Sequence, residues 1–488
     1  MTNPPFPTLS QQNRDLLVEA LLQWSLGNGL TMYPPGYESL HVVANAPVTL
    51  FPTPIPKSAF NAAIAVQQPF NQVYANVVSK KQWLVDVIKV LGAHDPEFTG
   101  RLFETYQKSL VDGKPVQRVS LGLFRSDYMV DTETNSIKQI EFNTVSVSFG
   151  GLSTKVGQLH NYLNSQGFYD DNYSYEYYNK DVIPVSPSTV ELARGLAKAN
   201  EKYGELTKPD NETVVLFVVQ PNERNCFDQR HVEYALLNEF GVKSVRVTFN
   251  ELATKTSVRE DRLYVKSTMD QVSVVYYRSG YGPEEYGSEI EWEGRLKAEK
   301  TLAIKCPSIL TQLSGAKKVQ QELTNPEILA KFIEDSEAIE KVQSTFVNIY
   351  PMDDSEAGLK AREWAQDSQQ CLKFVLKPQR EGGGNNVYKE DIPKFLEKLP
   401  KEEWEAYILM ELINPQQHPN SVIRNSEVFS ETILSELGIF GTVLFNEEDG
   451  DIYHNEGAGF LLRSKFSSSN EGGVAAGFGC VDTVCLTE

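Results

Sequence analysis

The sequence predicts a mixed α/β protein: a larger body with a smaller α/β unit inserted in it. Three observations carry that expectation. The chain has 488 residues, more than one hydrophobic core organises. Residues 119–149 alternate polar and apolar side chains with period two, as a half-buried hairpin does. From residue 213 a continuous apolar run, a helical stretch and further apolar runs follow one another at the spacing of parallel strand–helix–strand units.

Taken in order, residues 8–26 begin with a capping-box-like Thr8-x-x-Gln11. Leu17, Ala20, Leu21 and Trp24 then recur at three- and four-residue spacing, which predicts an amphipathic helix ending near Gly27 and Gly29. MYPPGYESL and VTLFPTPIP, rich in proline and aromatics, predict extended connecting chain. Val119, Leu121 and Leu123 begin a strand, DTETNS at 131–136 turns it, and SIKQIEFNTVSVSF returns. Strict alternation places Gln139, Glu141 and Asn143 on one face and Ile140 and Phe142 on the other, with Arg125 and Asp127 across the pair from Glu141.

VVLFVVQ at 214–220, the helical VEYALLNEFG, SVRVTF and SVVYYRSGY define the inserted unit, expected at 213–314 within a body of 1–212 and 315–488. Glu223, Asn225 and Gln229 follow its first strand, and Arg278 and Tyr281 follow its last. Open α/β sheets bind ligands at such strand ends. Beyond it come the helical AKKVQQEL and the strand-like FVLK, AYILMELI, ILSELGIFGTVLF and GAGFLLRSKF, then the glycine- and alanine-rich NEGGVAAGFG. There is no internal repeat.

Composition narrows the function. Lys and Arg number 46 against 65 Asp and Glu, a net charge of −19 that opposes attraction to nucleic acid or an anionic membrane. Any anionic substrate therefore needs a local group of cations in a cleft. The N-terminal segment lacks a basic start followed by an apolar run, and no stretch of eighteen apolar residues occurs, so a soluble intracellular protein is expected. Cys226, Cys306, Cys371, Cys480 and Cys485 are scattered without C-x-x-C spacing, which predicts reduced thiols.

KPQREGGGNNVYKE, residues 377–390, is the most informative segment. Gly382, Gly383 and Gly384 lack the β-carbons that would keep backbone amides from phosphate oxygens, and Asn385 and Asn386 tolerate positive φ. Lys377 offers a point charge to phosphate and Glu381 a hard oxygen for magnesium. G-x-x-x-x-G-K-[ST], G-x-G-x-x-G after a buried strand, H-E-x-x-H, G-x-S-x-G and H-R-D are all missing, which argues against P-loop, dinucleotide, zincin, α/β-hydrolase and kinase readings.

Together with AYILMELI and the Glu141/Asn143 pair, this loop resembles that of the eukaryotic glutathione synthetases, members of the ATP-grasp fold. The matching blocks run in one order from MYPP near residue 33 to GFGC near 480, among them FPTPIP, LFRSDY, EFNTVSVSFGGL, NERNCFDQ, VVYYRSGY, CPSILTQLSGAKKVQQ, ELGIFG, LLRSKF and EGGVAAG. The resemblance implies an ATP- and Mg2+-dependent ligase joining glycine to γ-glutamylcysteine through an acyl phosphate, the second step of glutathione biosynthesis, in a cytoplasmic homodimer.

It also assigns residues. Mg2+ falls to Glu141, Asn143 and Glu381, all oxygen donors. The nucleotide phosphates fall to Lys317, Lys377, Lys465 and the amides of Gly382 and Gly383, with Asn386 and Tyr388 closing the loop. Adenine falls to Met410, Glu411, Leu412 and Ile413, with Glu436 and Glu471 also at nucleotide-contacting positions. The dipeptide falls to Arg125, Ser146 and Ser148 on one side and Glu223, Asn225, Gln229, Arg278 and Tyr281 on the other. Arg463 and the backbone of Val474 and Ala475 match the end where glycine arrives, with β-alanine the alternative acceptor. Arg125, Arg463, Lys317 and Lys377 are the candidate catalytic residues, and the loops at 380–386 and 472–477 are expected to act as lids.

Overall fold

The computed structural model describes residues 6–172, 177–209, 211–379, 385–469, 473–474, 477 and 479–488. Glu381, Gly382, Gly383, Gly384, Glu471 and Ala475, and parts of the expected lid loops at 380–386 and 472–477, lie outside them.

The first helix spans Gln11–Asn28 and is capped by Ser10, whose hydroxyl accepts from the Asn13 amide, rather than by Thr8. It runs through Gly27 and stops at Gly29, which takes φ 72°. The proline-rich stretch contributes short extended pieces at Thr31–Met32, Ala44–Asn45, Val48–Thr49 and Thr53–Pro56.

A large mixed sheet dominates the described residues. Its centre is the strand Val119–Val130, flanked on one edge by the long antiparallel hairpin Glu427–Asn446 and Ile452–Phe466. The other edge is shared, with Ile304–Cys306 parallel at one end and Ile137–Asn143 antiparallel at the other. Strand alternation gives the sheet two apolar faces. Phe124 and Tyr128 point into a core with Phe70 and Tyr74 of the helix Lys57–Ser79, whereas Leu121 and Leu123 join Leu152 and Leu196 of the helices Gly150–Ser165 and Ser188–Thr207. Burying each such side chain contributes about 1.5–3 kcal/mol.

The parallel strand–helix–strand pattern expected from residue 213 onward is present, with an antiparallel pair, Thr256–Arg259 and Arg262–Val265, added to it. Thr213–Val218, Lys243–Val247, Gln271–Tyr277 and Ile304–Cys306 pair in parallel, with Cys226–Phe240 as the first crossover helix. Its sheet is continuous with the central one, because Lys305 pairs with Ser120. A separate four-stranded antiparallel sheet, ordered Ile349–Pro351, Tyr407–Glu411, Phe374–Pro378 and Val387–Tyr388, has its own small cores around Leu376, Leu409 and Trp404 and around Ile349, Val375 and Met410. The predicted AKKVQQEL helix is Lys317–Leu323.

Candidate functional site

The hairpin register decides the first half of the site. Asp127 lies opposite Glu141 and Arg125 opposite Asn143, so four polar residues share a face. Gln139 does not join them. The pairing advances one residue from Asp127 to Tyr128 but two from Glu141 to Gln139, a bulge at Ile140 that turns Gln139 to the opposite face, where its amide donates to Ser126 Oγ at 2.8 Å. Strict alternation missed this because periodicity carries no record of an extra residue.

Buried Asp127 is the hub of the constellation. Its carboxylate accepts from Arg125 Nε and Nη2 at 2.6 and 2.8 Å, from Arg463 Nη2 at 3.1 Å and from Asn143 Nδ2 at 3.1 Å. Arg463, opposite Glu436 in the long hairpin, also donates to that carboxylate through Nε at 2.8 Å. Against the pull of burial, Glu436, Asp127 and Glu141 hold the Arg463 guanidinium above its ordinary value. Glu436, expected at the nucleotide, is thus the arginine's partner. Gly438 faces Asp127, and a Cβ there would stand 2.8 Å from Asp127 Oδ1 and 2.9 Å from Arg125 Cδ. The bare backbone leaves room for the ion pair.

Two lysines meet the same face from other elements. Lys317, at the start of its helix, stands 3.7 Å from Glu141. Lys377, on the small sheet and 5% exposed, donates to the Ile140 carbonyl at 3.1 Å. Burial pulls the Lys377 ammonium down to about 8, opposed by Glu141. For Glu141 burial acts upward, but Lys317, then Lys377, Arg463 and Arg125 outweigh it and bring the carboxyl down to about 2. Gln379, just past Lys377, accepts from the Lys318 amide at 2.8 Å and so ties the entry of the glycine-rich segment to the Lys317 helix. Here is the local cation group that the −19 net charge required.

The opposite half lies at the strand ends of the parallel sheet. Glu223 accepts from the Asn225 amide at 2.8 Å and from Gln229 Nε2 at 2.9 Å. Arg278, 4% exposed, donates to Ser148 Oγ at 2.7 Å and to the Val147 carbonyl, while its Nε and the side-chain oxygen of Asn225 are buried with no hydrogen-bond partner among the described residues. Unsatisfied buried polar atoms in one cleft suit a polar ligand. Ser146 takes φ 51° and donates to the Tyr277 carbonyl at 3.2 Å. Tyr281 accepts from Gln220 at 2.8 Å, and burial pushes its phenol up to about 12.

Asp228, absent from the predicted set although it lies within NERNCFDQ, joins the two halves. Its buried carboxylate accepts from the backbone amides of Phe149, Gly151 and Leu152 at 2.8, 2.7 and 3.0 Å and from Asn225 Nδ2 at 3.3 Å. It caps the helix Gly150–Ser165 from another element and holds the turn carrying Ser146 and Ser148 against the helix carrying Gln229.

The remaining expected contacts are more dispersed. Met410 is buried in the small sheet. The Glu411 and Leu412 amides already donate to the carbonyls of Asn348 and Lys373, and the Glu411 carboxylate accepts from Asn348 and Tyr350. Ile413 follows this strand. Tyr388 pairs with Val375, and its hydroxyl accepts from Asn386 at 3.4 Å. Lys465 lies two residues beyond Arg463, between Leu434 and Gly479 in register. The Val474 side chain is buried in the core.

A strand-borne carboxylate and amide, lysines from two further elements and arginines paired to carboxylates form a cationic cleft suited to an anionic ligand. The comparisons agree with an ATP-dependent ligase. The model of the eukaryotic glutathione synthase ATP-binding domain matches residues 11–486. The glutathione synthetase large chain of Schizosaccharomyces pombe is 39% identical over 471 residues, covering 92% of this chain and 93% of that one. Glutathione synthetase of Homo sapiens is 39% identical, covering 91% and 90%. A glutathione synthetase-like effector from Globodera pallida, solved in apo form, shares the fold with a TM-score of 0.74 over 99% of this chain and 100% of that one, at 21% identity. The chain belongs to the eukaryotic glutathione synthase family, whose members are ATP-dependent ligases. Among the described residues, no helix is long and apolar enough to cross a membrane.

Proposed function

We propose that the chain joins glycine to the cysteinyl carboxylate of γ-glutamylcysteine, with ATP as phosphoryl donor, at the cleft where the Glu141 strand, the Lys317 helix and the small sheet meet. The observation that carries this reading is the convergence of Lys317 and Lys377 on Glu141, beside the Arg125–Asp127–Arg463 cluster. In the first step a substrate carboxylate oxygen attacks the γ-phosphorus and the bond to ADP breaks, giving an acyl phosphate. In the second, the glycine amine forms the amide, loses a proton and releases phosphate. No protein nucleophile takes part. Lys317 and Lys377 neutralise phosphate charge, and Arg463 stands ready for the charge on the acyl phosphate.

Arg125 and Arg278 orient the dipeptide with Ser146, Ser148, Asn225, Gln229 and Tyr281, and Glu223 pairs with its ammonium. Glu141 and Asn143 fit a magnesium ion. The carboxyl is ionised, and the Asn143 N–H groups turn to Asp127 and to the Arg125 carbonyl at 3.2 Å, leaving its oxygen as a donor. With Glu381 they would hold Mg2+, which supplies charge neutralisation at the phosphates. Adenine is assigned to Met410–Ile413, and the family likeness supports a cytoplasmic homodimer with residues 213–314 as an inserted unit.

The reading is tested by ADP release. Turnover that requires both γ-glutamylcysteine and glycine is expected. Preference for β-alanine would change the acceptor, and no turnover with Mg2+ present would refute the reading.

A further inference from the structure

We propose that Asp127 is the positioning residue that turns the Asn143 side-chain oxygen toward the metal. The inference rests on the reading of Asn143 as a metal ligand. An asparagine amide has two ends of similar shape and opposite hydrogen-bonding character, so its orientation follows from its neighbours. Here the neighbours leave one choice. Asn143 Nδ2 lies 3.1 Å from Asp127 Oδ2 and 3.2 Å from the Arg125 carbonyl, and both of these oxygens accept only. Rotating the amide by half a turn would set its oxygen against two acceptors. The nitrogen therefore stays on the protein side, and the oxygen is presented on the other.

Asp127 is itself fixed. It is 1% exposed, and Arg125 grips both of its oxygens while Arg463 adds a third donor. Each of its oxygens takes a guanidinium N–H and so acts as an acceptor, and the glycine at 438 lets the Arg125–Asp127 pair lie against the neighbouring strand. One carboxylate thus couples the ligand at 143 to the two arginines assigned to the dipeptide and to the acyl phosphate. Residues that orient a metal ligand in this way typically contribute about 10–100-fold to metal affinity.

The test uses the full-length chain with the non-hydrolysable β,γ-imido analogue of ATP and Mn2+ as the spectroscopic probe, binding being followed by electron paramagnetic resonance. Asp127→Asn can donate to position 143 and so frees the amide to turn; it is expected to weaken Mn2+ binding about 10–100-fold with an unchanged circular dichroism spectrum. Asn143→Asp decides the matter independently should that variant fail to fold. As a ligand alone, a carboxylate holds a divalent cation at least as well as an amide, but facing Asp127 it sets two carboxylates together, and weaker binding is expected. Glu141→Gln serves as the control for the metal site itself. If Glu141→Gln weakens Mn2+ binding while either folded test variant binds as the parent does, Asp127 does not orient the ligand and the inference falls. If Glu141→Gln also binds normally, the metal-site reading falls and the inference with it.

Discussion

Replacing Lys377 by methionine is expected to make the unliganded protein more stable while abolishing its activity. Lys377 is 5% exposed, and its affinity for a proton falls from the ordinary 10.5 to about 8, burial outweighing the help of Glu141. At ~1.4 kcal/mol per tenfold change in proton affinity, holding the charge in the fold costs about 3 kcal/mol. Methionine removes that cost but also the bond to the Ile140 carbonyl, worth about 1 kcal/mol, so a net gain of about 2 kcal/mol is expected. The pH dependence follows from the direction of the shift. Below pH 8 the lysine is charged in both folded and unfolded chains and the cost is fully present. Between about 8 and 10.5 the unfolded chain binds more protons, so the parent gains stability as pH rises and the advantage of Lys377→Met fades. Urea denaturation at pH 7, 8, 9 and 10 measures both effects. A variant less stable than the parent at pH 7, or a difference constant across the series, would refute the reasoning. Such a trade between stability and activity is expected where a buried charge awaits an anionic ligand.

Three other substitutions probe the rest of the site. Glu141→Gln should lower turnover by about 100-fold or more, because it removes a negative charge set among four cations; steady-state ADP release near the parent rate would remove Glu141 from the metal site. Gly438→Ala drives a methyl into the Arg125–Asp127 pair and should raise the KM for γ-glutamylcysteine about tenfold, whereas an unchanged KM would show that the strand yields without moving Arg125. Asp228→Ala strips the acceptor from three backbone amides and should cost about 2–4 kcal/mol in urea denaturation along with a raised KM for the dipeptide; a loss below about 0.5 kcal/mol would mean that water replaces the cap.

Much of this protein was legible from its residues alone. Period-two alternation located the hairpin that carries Glu141 and Asn143, and the apolar runs from 213 onward located the parallel strands whose ends carry Glu223 and Arg278. Those signals are local, since backbone geometry ties side-chain direction to sequence spacing. The order of matching blocks reached further, to the family and the residue types at the site. What the tertiary structure alone decided is how distant residues meet. The bulge at Ile140 separates Gln139 from Glu141, Glu436 serves Arg463, and Asp228 caps a helix 77 residues away. Lys377 reaches the strand of Glu141 across 237 residues of chain. No periodicity encodes such encounters. They arise because two sheets and a helix must bury their apolar faces together, and the charges stranded at their meeting line find partners only there.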